Sequence, residues 1–520
     1  AQGFQRTELQ GFLQAARRVF GQVGRAGHDG LAHHAQRARH QVRVERAGHA
    51  DGEVEAFAHQ VAGADAQVHV EAHGGVLRAE VGQQVHQETV AQRGGRREPD
   101  QAVHFGAHGG YGALAVAQRL PGLAGEIQVQ PAGLGERHAA PGLGEQGREV
   151  LKALDYLGNA DIKHIIDVYE PSHRRAGEIA PKAATGTDYK AAIADASVKT
   201  IFVATPTHLH REIVVAALEA GKHVFCEAPI ANTIEDARAI AQAAKKAAEK
   251  GVVFHTGLQE RTNPQHHHVW KFVTTGVLGP NLTTCKSQWN KKTSWRKTAP
   301  NGAREAALNW RLSKSVSLGL VGEIGIHPLD TAAWFVKSDP IAVTGFGSLT
   351  NWKDGREVAD SVTAVLEFAN GVRMVFDATL SNSFAGNYEQ FQGSDAAIML
   401  KDPIDKNTRA WMIKEADATA LGWEVYAYRE AVGDDTGIAL VADASKLLKR
   451  GLEPGKNRNV DPKKTPVYYA CDAFLDGVRA GKQTESDAMV GYRATVVAIR
   501  ANEAVLNGGR VNITKEDLTI

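Results

Sequence analysis

Cysteine is scarce in this sequence, with three in 520 residues, at positions 226, 285 and 471. That number and spacing exclude a disulfide-stabilised scaffold and a cysteine-based zinc site. No apolar run approaches the roughly 18–20 residues that a membrane-spanning helix requires. Lys and Arg total 60 against 59 Asp and Glu, a net charge of +1, so the chain has no general attraction to nucleic acid or anionic lipid. We therefore expect a soluble protein of two or three domains, without a nucleic-acid or membrane partner.

The first 150 residues lack several residue types altogether. They contain no Lys, Ser, Asn, Met or Trp, one Ile and one Tyr, yet 12 of the 22 histidines. Three interpretations compete: a histidine-rich metal-binding region, a disordered Ala/Gly/Gln-rich extension, or a stretch read outside its natural frame. The histidines lack the spacing of a closed metal site, and the scarcity of large apolar residues argues against a stable core. We favour the frame interpretation, and expect no native fold or function for residues 1–140.

A glycine pattern marks the start of a recognisable domain. Gly142, Gly144 and Gly147 fit G-x-G-x-x-G and lead into a helical pattern that ends near Gly158. Residues 162–170 then form a buried-strand pattern that ends in Glu170, with Asp167 as a competing acid. This arrangement is typical of a dinucleotide site, where the helix N-terminus faces the pyrophosphate and the acid accepts from the ribose 2′-hydroxyl. The residues directly before Gly142 are not the apolar first strand that the motif requires.

The pattern then alternates between strands and helices. Strand patterns cover 198–206, 222–230 and 252–261, and helical patterns cover 208–221 and 233–251, the latter with Thr233 as N-cap. This alternation predicts an α/β fold with a Rossmann-type, doubly wound parallel sheet. Short strand patterns at 345–400 and helical patterns at 465–481 and 487–509 follow. These predict a second α/β domain with a meandering sheet.

Four motifs in order resemble the glucose–fructose oxidoreductase/inositol dehydrogenase/MocA family: ATPTHLH (204–210), AGKHVFCEAPI (220–230), TGLQERTNP (256–264) and GEIGIHPLDTAAWFV (322–336). The resemblance covers about residues 142–520. It implies an NAD(P)-binding Rossmann domain at 141–262 and a substrate-binding and oligomerisation domain at 263–520, the latter with an open, mainly antiparallel sheet. It also implies hydride transfer between a nicotinamide dinucleotide and a ring hydroxyl of a sugar or cyclitol, in a dimer or tetramer.

Carried over residue by residue, the resemblance implies cofactor contacts from Gly142, Gly144, Gly147, Glu170, Thr205, Pro206, His208 and Glu227. Glu170 favours NAD over NADP because its carboxylate would repel a 2′-phosphate. The resemblance places Gln259, Arg261 and Asp330 near the substrate. It makes His327 and Glu323 the catalytic pair. Four residues apart on one helix, these two would share a face and approach the same ligand.

The sequence departs from the family at Ala228, where the family carries its catalytic lysine. Alanine cannot move a proton, so His327 is the side chain best suited to general base work, with Glu323 orienting it or relaying the proton. Lys291 and Lys297 are candidates to replace the lysine in space. No metal is expected, since the adjacent histidines 266–268 on a helix would point in different directions.

Aromatic and basic side chains downstream suit a sugar, which offers apolar faces and hydroxyl rims. The candidates for substrate binding are Trp295, Arg296, Trp310, Arg311 and Tyr388. The alternative for the tryptophans is an ordinary position in the core of the sheet.

Three functions remain open on the sequence alone. The first is an NAD(P)-dependent oxidoreductase on a sugar or cyclitol. The second is a redox-neutral, NAD-dependent glycosidase that oxidises its substrate transiently, eliminates the aglycone and adds water. The third is a non-catalytic nucleotide- or sugar-binding relative. The N-terminus carries no signal-peptide pattern, and the location stays open: the cytoplasm is the default, and the periplasm is the alternative if a leader is missing.

Overall fold

The structure is a computed structural model that describes residues 144–403, 408–442, 444–449, 451, 461 and 463–520, and the backbone of four strands nearer the N-terminus. The chain divides into two compact units, residues 1–103 and 104–520. Three of the four strands belong to the first unit: β1 (Val42–Glu45), β2 (Ala66–His73) and β3 (Val76–Gln83). They form an antiparallel sheet in the order β1-β3-β2. Otherwise, the expectations for residues 1–140 lie outside the described residues, apart from the fourth strand.

A six-stranded sheet of parallel neighbours opens the second unit. Its strands are β4 (Glu126–Gln130), β5 (Ile162–Ile166), β6 (Ala184–Gly186), β7 (Val198–Val203), β8 (His223–Cys226) and β9 (Phe254–Thr256). They lie in the order β6-β5-β4-β7-β8-β9. This is the doubly wound order in which the chain reverses direction beside the first strand, and ligands bind at the carboxyl ends of the strands there. The predicted Rossmann sheet is confirmed.

The first strand is where structure and sequence analysis differ. Strand β4 lies at the centre of this sheet, parallel to β5 on one side and to β7 on the other. It lies well upstream of the glycine motif, and the residues between it and Gly144 are outside the described part. A search for an apolar strand directly before Gly142 therefore missed it.

Helices cover this sheet on both faces. They are α1 (Glu145–Leu157), α2 (Pro171–Gly177), α3 (Tyr189–Ala194), α4 (His210–Glu219) and α5 (Ile234–Ala248). Strand side chains alternate between the faces: Phe202 and Phe225 belong to one buried cluster, whereas Ile201 and Val224 belong to the other. The Thr233 side chain accepts from the backbone N–H of Asp236, so the predicted N-cap is confirmed.

The second sheet has ten strands in the order β17-β18-β16-β15-β14-β10-β13-β12-β11-β19. Its strands are β10 (Leu282–Asn290), β11 (Pro340–Ser348), β12 (Ser361–Phe368), β13 (Arg373–Thr379), β14 (Asn387–Gly393), β15 (Ala396–Lys401), β16 (Arg409–Lys414), β17 (Arg429–Val432), β18 (Asp435–Leu440) and β19 (Arg510–Asn512). Only β10 and β13 pair in parallel, so the predicted mainly antiparallel sheet is confirmed.

The remaining helices are α6 (Pro264–Thr274), α7 (Gly302–Leu308), α8 (Gly319–Glu323), α9 (Ile326–Val336), α10 (Ala444–Lys449), α11 (Pro466–Ala480) and α12 (Ala488–Asn507). Helix α11 returns to the first sheet, where Phe474 meets Phe202 edge to face at 5.3 Å between ring centroids. Helix α12 contacts the first domain, since Oγ1 of Thr495 accepts a hydrogen bond from the backbone N–H of Ile230. The last part of the chain thus packs on both domains. A single boundary at residues 262 and 263 does not describe this packing.

Candidate active site

Three consecutive strands of the Rossmann sheet end at one edge. Thr205 lies two residues after β7, Glu227 directly after β8, and Gly257 directly after β9. Thr205 and Glu227 are each 2% exposed. Because β7, β8 and β9 are parallel neighbours, their carboxyl ends bring these residues together. The candidate site is built at this edge.

His327 and Glu260 form the central ion pair of the site. His327, in the first turn of α9, places Nδ1 2.9 Å from Oε2 of Glu260, on the short 3₁₀ helix Gln259–Thr262. The two side chains are 12% and 2% exposed. A carboxylate at Nδ1 fixes the proton there and leaves Nε2 to exchange a proton with a ligand.

Charge sets the protonation of this pair. Burial alone lowers the pKa of His327, but the negative charges of Glu260, Glu227 and Asp330 outweigh burial, and the pKa is raised above its ordinary value. Burial raises the pKa of Glu260, but His327 outweighs it, and that pKa is lowered. The pair therefore favours an imidazolium beside a carboxylate.

Glu227 lies beside this pair with a different protonation. Its Oε1 accepts from Nε2 of Gln146 at 2.9 Å, which ties the first turn of α1 to the end of β8. Burial raises the pKa of Glu227 to about 7. A carboxyl group that titrates near neutrality suits proton transfer.

The structure corrects the expectation for Glu323. Helix α8 ends at Glu323 and α9 begins at Ile326, so Glu323 and His327 do not lie on one helix. Glu323 is fully buried, accepts from Oγ1 of Thr207 at 3.4 Å, and lies 3.6 Å from Nε of Arg311. His327 has Glu260 as its carboxylate partner. The sequence analysis missed Glu260, although it stands between two residues of a quoted motif, Gln259 and Arg261.

A tryptophan–arginine group surrounds Glu323. The guanidinium of Arg311 lies 5.0 Å from the Trp310 ring and 5.6 Å from the Trp295 ring. The His208 ring lies 5.9 Å from Trp310, so a residue assigned to the cofactor meets one assigned to the substrate. Trp295 has a φ of 61°, a left-handed conformation that is costly for a bulky side chain. These four side chains and Glu323 form one buried or half-buried polar and aromatic wall.

Arg261 and Asp330 pair with each other. Nε and Nη2 of Arg261 donate to the two carboxylate oxygens of Asp330, each at 2.8 Å, in a buried bidentate ion pair. The Arg261 guanidinium also lies 5.0 Å from the Trp334 ring. This pair joins the Gln259–Thr262 turn to α9, which fixes Glu260 against His327.

One predicted substrate residue lies on the other face of its strand from a buried neighbour, and another is held in an ion pair. Tyr388 alternates with the buried Glu389 on β14 and so points to the opposite face of the sheet. Glu389 is 2% exposed, and its Oε2 lies 3.9 Å from Nε2 of His266 on α6. Nη1 of Arg296 forms an ion pair with Oε1 of Glu305 at 2.9 Å. Single-residue alternation within a strand was the signal that would have excluded Tyr388.

The dinucleotide side of the site is partly defined. Gly144 is the N-cap of α1 and Gly147 is buried within it, whereas Gly142 lies outside the described residues. Asp167 follows β5 directly and is fully buried, whereas Glu170 is exposed at the N-cap of α2. Asp167, the competing acid, therefore occupies the strand-end position at which a dinucleotide fold carries its ribose-binding acid. The strand is shorter than its apolar pattern indicated.

Unpaired polar atoms at this edge fit a polar ligand. Oγ1 of Thr205 is buried without a hydrogen-bond partner among the described residues, as are Nζ of Lys291 and Nη1 of Arg304. Buried polar atoms are rarely left unpaired in a protein. Together with the acid after β5 and the N-terminus of α1, these atoms fit a dinucleotide, which would bring hydroxyl and phosphate oxygens.

Position 228 is closed to a lysine. Ala228 is 3% exposed and packs in an apolar cluster with Leu258, Ile326, Ala494 and Ala498. An ammonium group there would be buried among aliphatic side chains. Lys291 and Lys297, the candidates to replace it, both have pKa values lowered by burial, and Lys297 lies 3.8 Å from Glu145.

The three adjacent histidines do point apart. His266 is buried, His267 bonds the carbonyl of Arg261, and the His268 ring meets Phe272. Within the described residues, no cluster of three or more His, Cys, Asp or Glu is arranged to hold a metal. Among the helices that the structure describes, none has the length and apolarity needed to cross a membrane.

Two family models match the chain in tandem. Residues 137–257 match an oxidoreductase family with an NAD-binding Rossmann fold. Residues 271–399 match the GFO/IDH/MocA C-terminal domain. The boundary between the two matches coincides with the Gln259–Thr262 turn and the start of α6, which is also where Glu260 meets His327.

Curated relatives include dehydrogenases and a hydratase. Levoglucosan dehydrogenase of Pseudarthrobacter phenanthrenivorans is 29% identical over 239 residues, which is 41% of this chain and 58% of that protein. The matched part thus spans less than two thirds of that relative. The 2,7-anhydro-N-acetylneuraminate hydratase of Escherichia coli is 26% identical over 353 residues, 66% of this chain and 87% of that protein.

The fold is shared with solved structures. Levoglucosan dehydrogenase in complex with NADH and L-sorbose superposes with a TM-score of 0.56 at 20% identity, covering 71% of this chain and 96% of the other. Both domains and their order are therefore those that the four motifs implied. Residues 137–257 and 271–399 are the NAD-binding and C-terminal domains of the glucose–fructose oxidoreductase/inositol dehydrogenase/MocA family.

Proposed function

We propose that this protein is an NAD-dependent oxidoreductase that acts on a ring hydroxyl of a sugar or cyclitol. The observation that carries the proposal is the buried His327–Glu260 pair at the carboxyl edge of an NAD-binding sheet. NAD, when bound, supplies the hydride acceptor. The residues that would hold it are Asp167 at the ribose, Gly144 and Gly147 at the start of α1, and Thr205 at the end of β7.

His327 is the proposed proton acceptor. Glu260 holds the proton on Nδ1, so Nε2 takes the proton of the substrate hydroxyl as its carbon gives up hydride. The raised pKa means that the imidazole is neutral, and able to accept, only at the higher end of the pH range. In the reverse direction the imidazolium donates the proton to the carbonyl oxygen.

The tryptophan–arginine group is the proposed sugar wall. Trp295 and Trp310 offer apolar ring faces, and Arg311 offers donors held in place by Glu323. Aromatic faces with a few fixed donors match the alternation of C–H faces and hydroxyls on a sugar ring. Relatives named for levoglucosan and inositol are consistent with this substrate class.

The test is NADH formation by the purified full chain with NAD and a panel that includes levoglucosan and myo-inositol. We expect turnover with one member of the panel. Replacing the base in His327→Ala should lower kcat by about 100-fold or more, the usual contribution of a positioned general base. His164→Gln, at a half-buried ion pair with Asp195, is the matched control and should keep wild-type kcat. Equal kcat for wild type and His327→Ala would refute the assignment.

A redox-neutral elimination or hydration is the second candidate. Ala228 at the lysine position, and a hydratase among relatives matched over most of their length, favour it. In such a reaction the substrate is oxidised, loses or gains a group next to the new carbonyl, and is reduced again. The two candidates differ in product: turnover without net NADH, with solvent deuterium incorporated beside the oxidised carbon, identifies the second.

A further inference from the structure

An arginine of the C-terminal domain reaches the ribose end of the Rossmann sheet. Arg304, on α7, is 8% exposed, and its guanidinium carbon lies 3.8 Å from the centroid of the Tyr169 ring. Tyr169 follows β5 by three residues, and its backbone N–H donates to Oδ1 of Asp167 at 2.8 Å. Burial lowers the pKa of Arg304, and Asp167 counteracts this, so the guanidinium and that carboxylate lie within electrostatic range.

The guanidinium has donor capacity to spare. Nη1 of Arg304 is buried and has no hydrogen-bond partner among the residues that the structure describes. A buried donor without an acceptor is unfavourable, so an incoming oxygen would be stabilised at this position. The Tyr169 ring supports one face of the guanidinium plane and leaves its edge available.

The position of Arg304 is fixed by its own segment. Oδ1 of Asn301 accepts from the backbone N–H of Arg304 at 2.9 Å, which caps α7. Asn309 closes the segment at its other end: its side chain accepts from the N–H of Lys297 and donates to the Lys297 carbonyl, each at 2.7 Å. The arginine is therefore built into place and does not depend on a mobile surface rotamer.

We propose that Arg304 is a cofactor-binding residue supplied by the C-terminal domain, whose Nη1 donates to the oxygen on the 2′ carbon of the adenosine ribose, beside Asp167. This inference rests on the proposed NAD-dependent function. A 2′-hydroxyl and a 2′-phosphate both offer an oxygen acceptor there. The Asp167 carboxylate accepts from a hydroxyl and repels a phosphate, which makes NAD the expected ligand.

The contact has a consequence for cofactor exchange. Asp167 and Tyr169 belong to the Rossmann domain, whereas Arg304 belongs to the region that follows it. The adenosine end is then held from two domains at once, so release of the ligand requires the Arg304 contact to break. Slow release of the dinucleotide is the expected kinetic result.

The test separates the two halves of the dinucleotide. Calorimetry on the full chain would measure the affinity for ADP-ribose and for nicotinamide mononucleotide in wild type and Arg304→Gln. We expect Arg304→Gln to weaken ADP-ribose binding about tenfold, as for loss of one charge-assisted hydrogen bond, and to leave the mononucleotide unchanged. Arg510→Gln, at an exposed ion pair with Glu367, is the matched control and should bind both fragments as wild type does.

The source of the 2′ oxygen is resolved by a second ligand pair. If Arg304→Gln loses more affinity for 2′-phospho-ADP-ribose than for ADP-ribose, Arg304 binds a 2′-phosphate. If the variant loses more affinity for ADP-ribose, Arg304 binds the 2′-hydroxyl, as proposed. Equal affinity of wild type and Arg304→Gln for both ligands overturns the inference but not the proposed function, whereas a wild-type chain that binds none of these fragments overturns both.

Tyr169 gives an independent readout if Arg304→Gln unfolds. Tyr169→Phe keeps the ring under the guanidinium and should bind ADP-ribose as wild type does. Tyr169→Ala removes the ring and should weaken that binding, with an unchanged melting temperature as the sign of an intact fold. Equal ADP-ribose affinity in both tyrosine variants contradicts the proposed contact of Arg304 with the ribose.

Discussion

His327 pairs with a different carboxylate from the one that its sequence position indicates. The residue four positions earlier, Glu323, belongs to the tryptophan–arginine group, and Glu260 of the interdomain turn takes its place. Glu260 is held by its neighbour Arg261, which is locked to Asp330 on α9. The proton acceptor is thus oriented by two buried ion pairs that join the same turn and the same helix.

Removal of the Glu260 charge should change the pH dependence of turnover. Glu260 raises the pKa of His327, and only neutral His327 accepts a proton, so oxidation should speed up as pH rises through that pKa. In Glu260→Gln this rise should move to lower pH, and kcat should fall about tenfold or more because Nδ1 is no longer fixed. A pH–rate profile measures both effects. Glu367→Gln, at an exposed ion pair, is the control, and a rise that stays at the wild-type pH in Glu260→Gln would disprove the pairing.

Restoring the family lysine should not restore the family mechanism. Ala228 is enclosed by Leu258 and Ile326, so Ala228→Lys overfills an apolar cluster and should cost about 1–3 kcal/mol or more of stability. We expect a lower melting temperature and no gain in turnover. Ala191→Lys, at an exposed position of α3, should leave the melting temperature unchanged. A faster Ala228→Lys enzyme with wild-type stability would show that the cluster opens readily.

Among the elements of the site, the break between α8 and α9 separates Glu323, in the tryptophan–arginine group, from His327, which pairs with Glu260. Gly325 lies in that break, and a Cβ there would lie 2.2 Å from the carbonyl oxygen of Val321 and 3.0 Å from the Phe376 ring. Backbone oxygen cannot move aside cheaply. Gly325 therefore permits the close backbone approach at which α8 ends and α9 begins. As a result, Glu323 and His327 lie on separate helices.

Substitution of this glycine should disturb catalysis together with stability. Gly325→Ala should cost about 1–3 kcal/mol by overpacking and should shift His327 relative to Glu260, which lowers kcat. Denaturant unfolding and NADH formation measure the two effects. Gly177→Ala, where a Cβ meets nothing within 4 Å, is the matched control and should retain wild-type stability and rate. An unaltered kcat in Gly325→Ala would show that the break does not set the position of His327.

At the scale of the whole molecule, the site lies entirely within the second compact unit. Every contact described for it falls between residues 144 and 520, and the Rossmann sheet draws on the N-terminal part of the chain only through β4. That strand is one of the two central strands of six, so the sheet depends on it. The homo-oligomer implied by the resemblance stays a prediction, which light scattering of the full chain would measure.

Two truncations test this dependence. A chain that begins at residue 104 keeps β4 and should bind NAD and fold as the full chain does. A chain that begins at residue 132 loses the strand between β5 and β7, so its sheet is interrupted at the cofactor edge, and NAD binding should be lost. Calorimetry with NAD and circular dichroism measure the outcome. Normal binding by the shorter chain would show that Glu126–Gln130 does not supply the first strand.

The fold and the strand ends of the site follow from local sequence patterns. Apolar runs of strand length between capped helices specify a parallel sheet, because side-chain periodicity and capping are local properties: Thr233 caps its helix where its neighbours indicated. Thr205 and Glu227 follow from the same logic, since the carboxyl ends of neighbouring parallel strands meet. The family motifs added the identity of His327 and the missing lysine.

Which charged side chains pair with each other depends on how the whole chain packs. Glu260 and His327 are 67 residues apart, and Arg304 and Tyr169 are in different domains, so no local pattern relates them. Asp167 directly follows its strand, whereas Glu170 lies four residues past it, and Tyr388 alternates with Glu389, which is buried. Pairing energies depend on distance and burial through space, and a sequence specifies neither until the chain has packed.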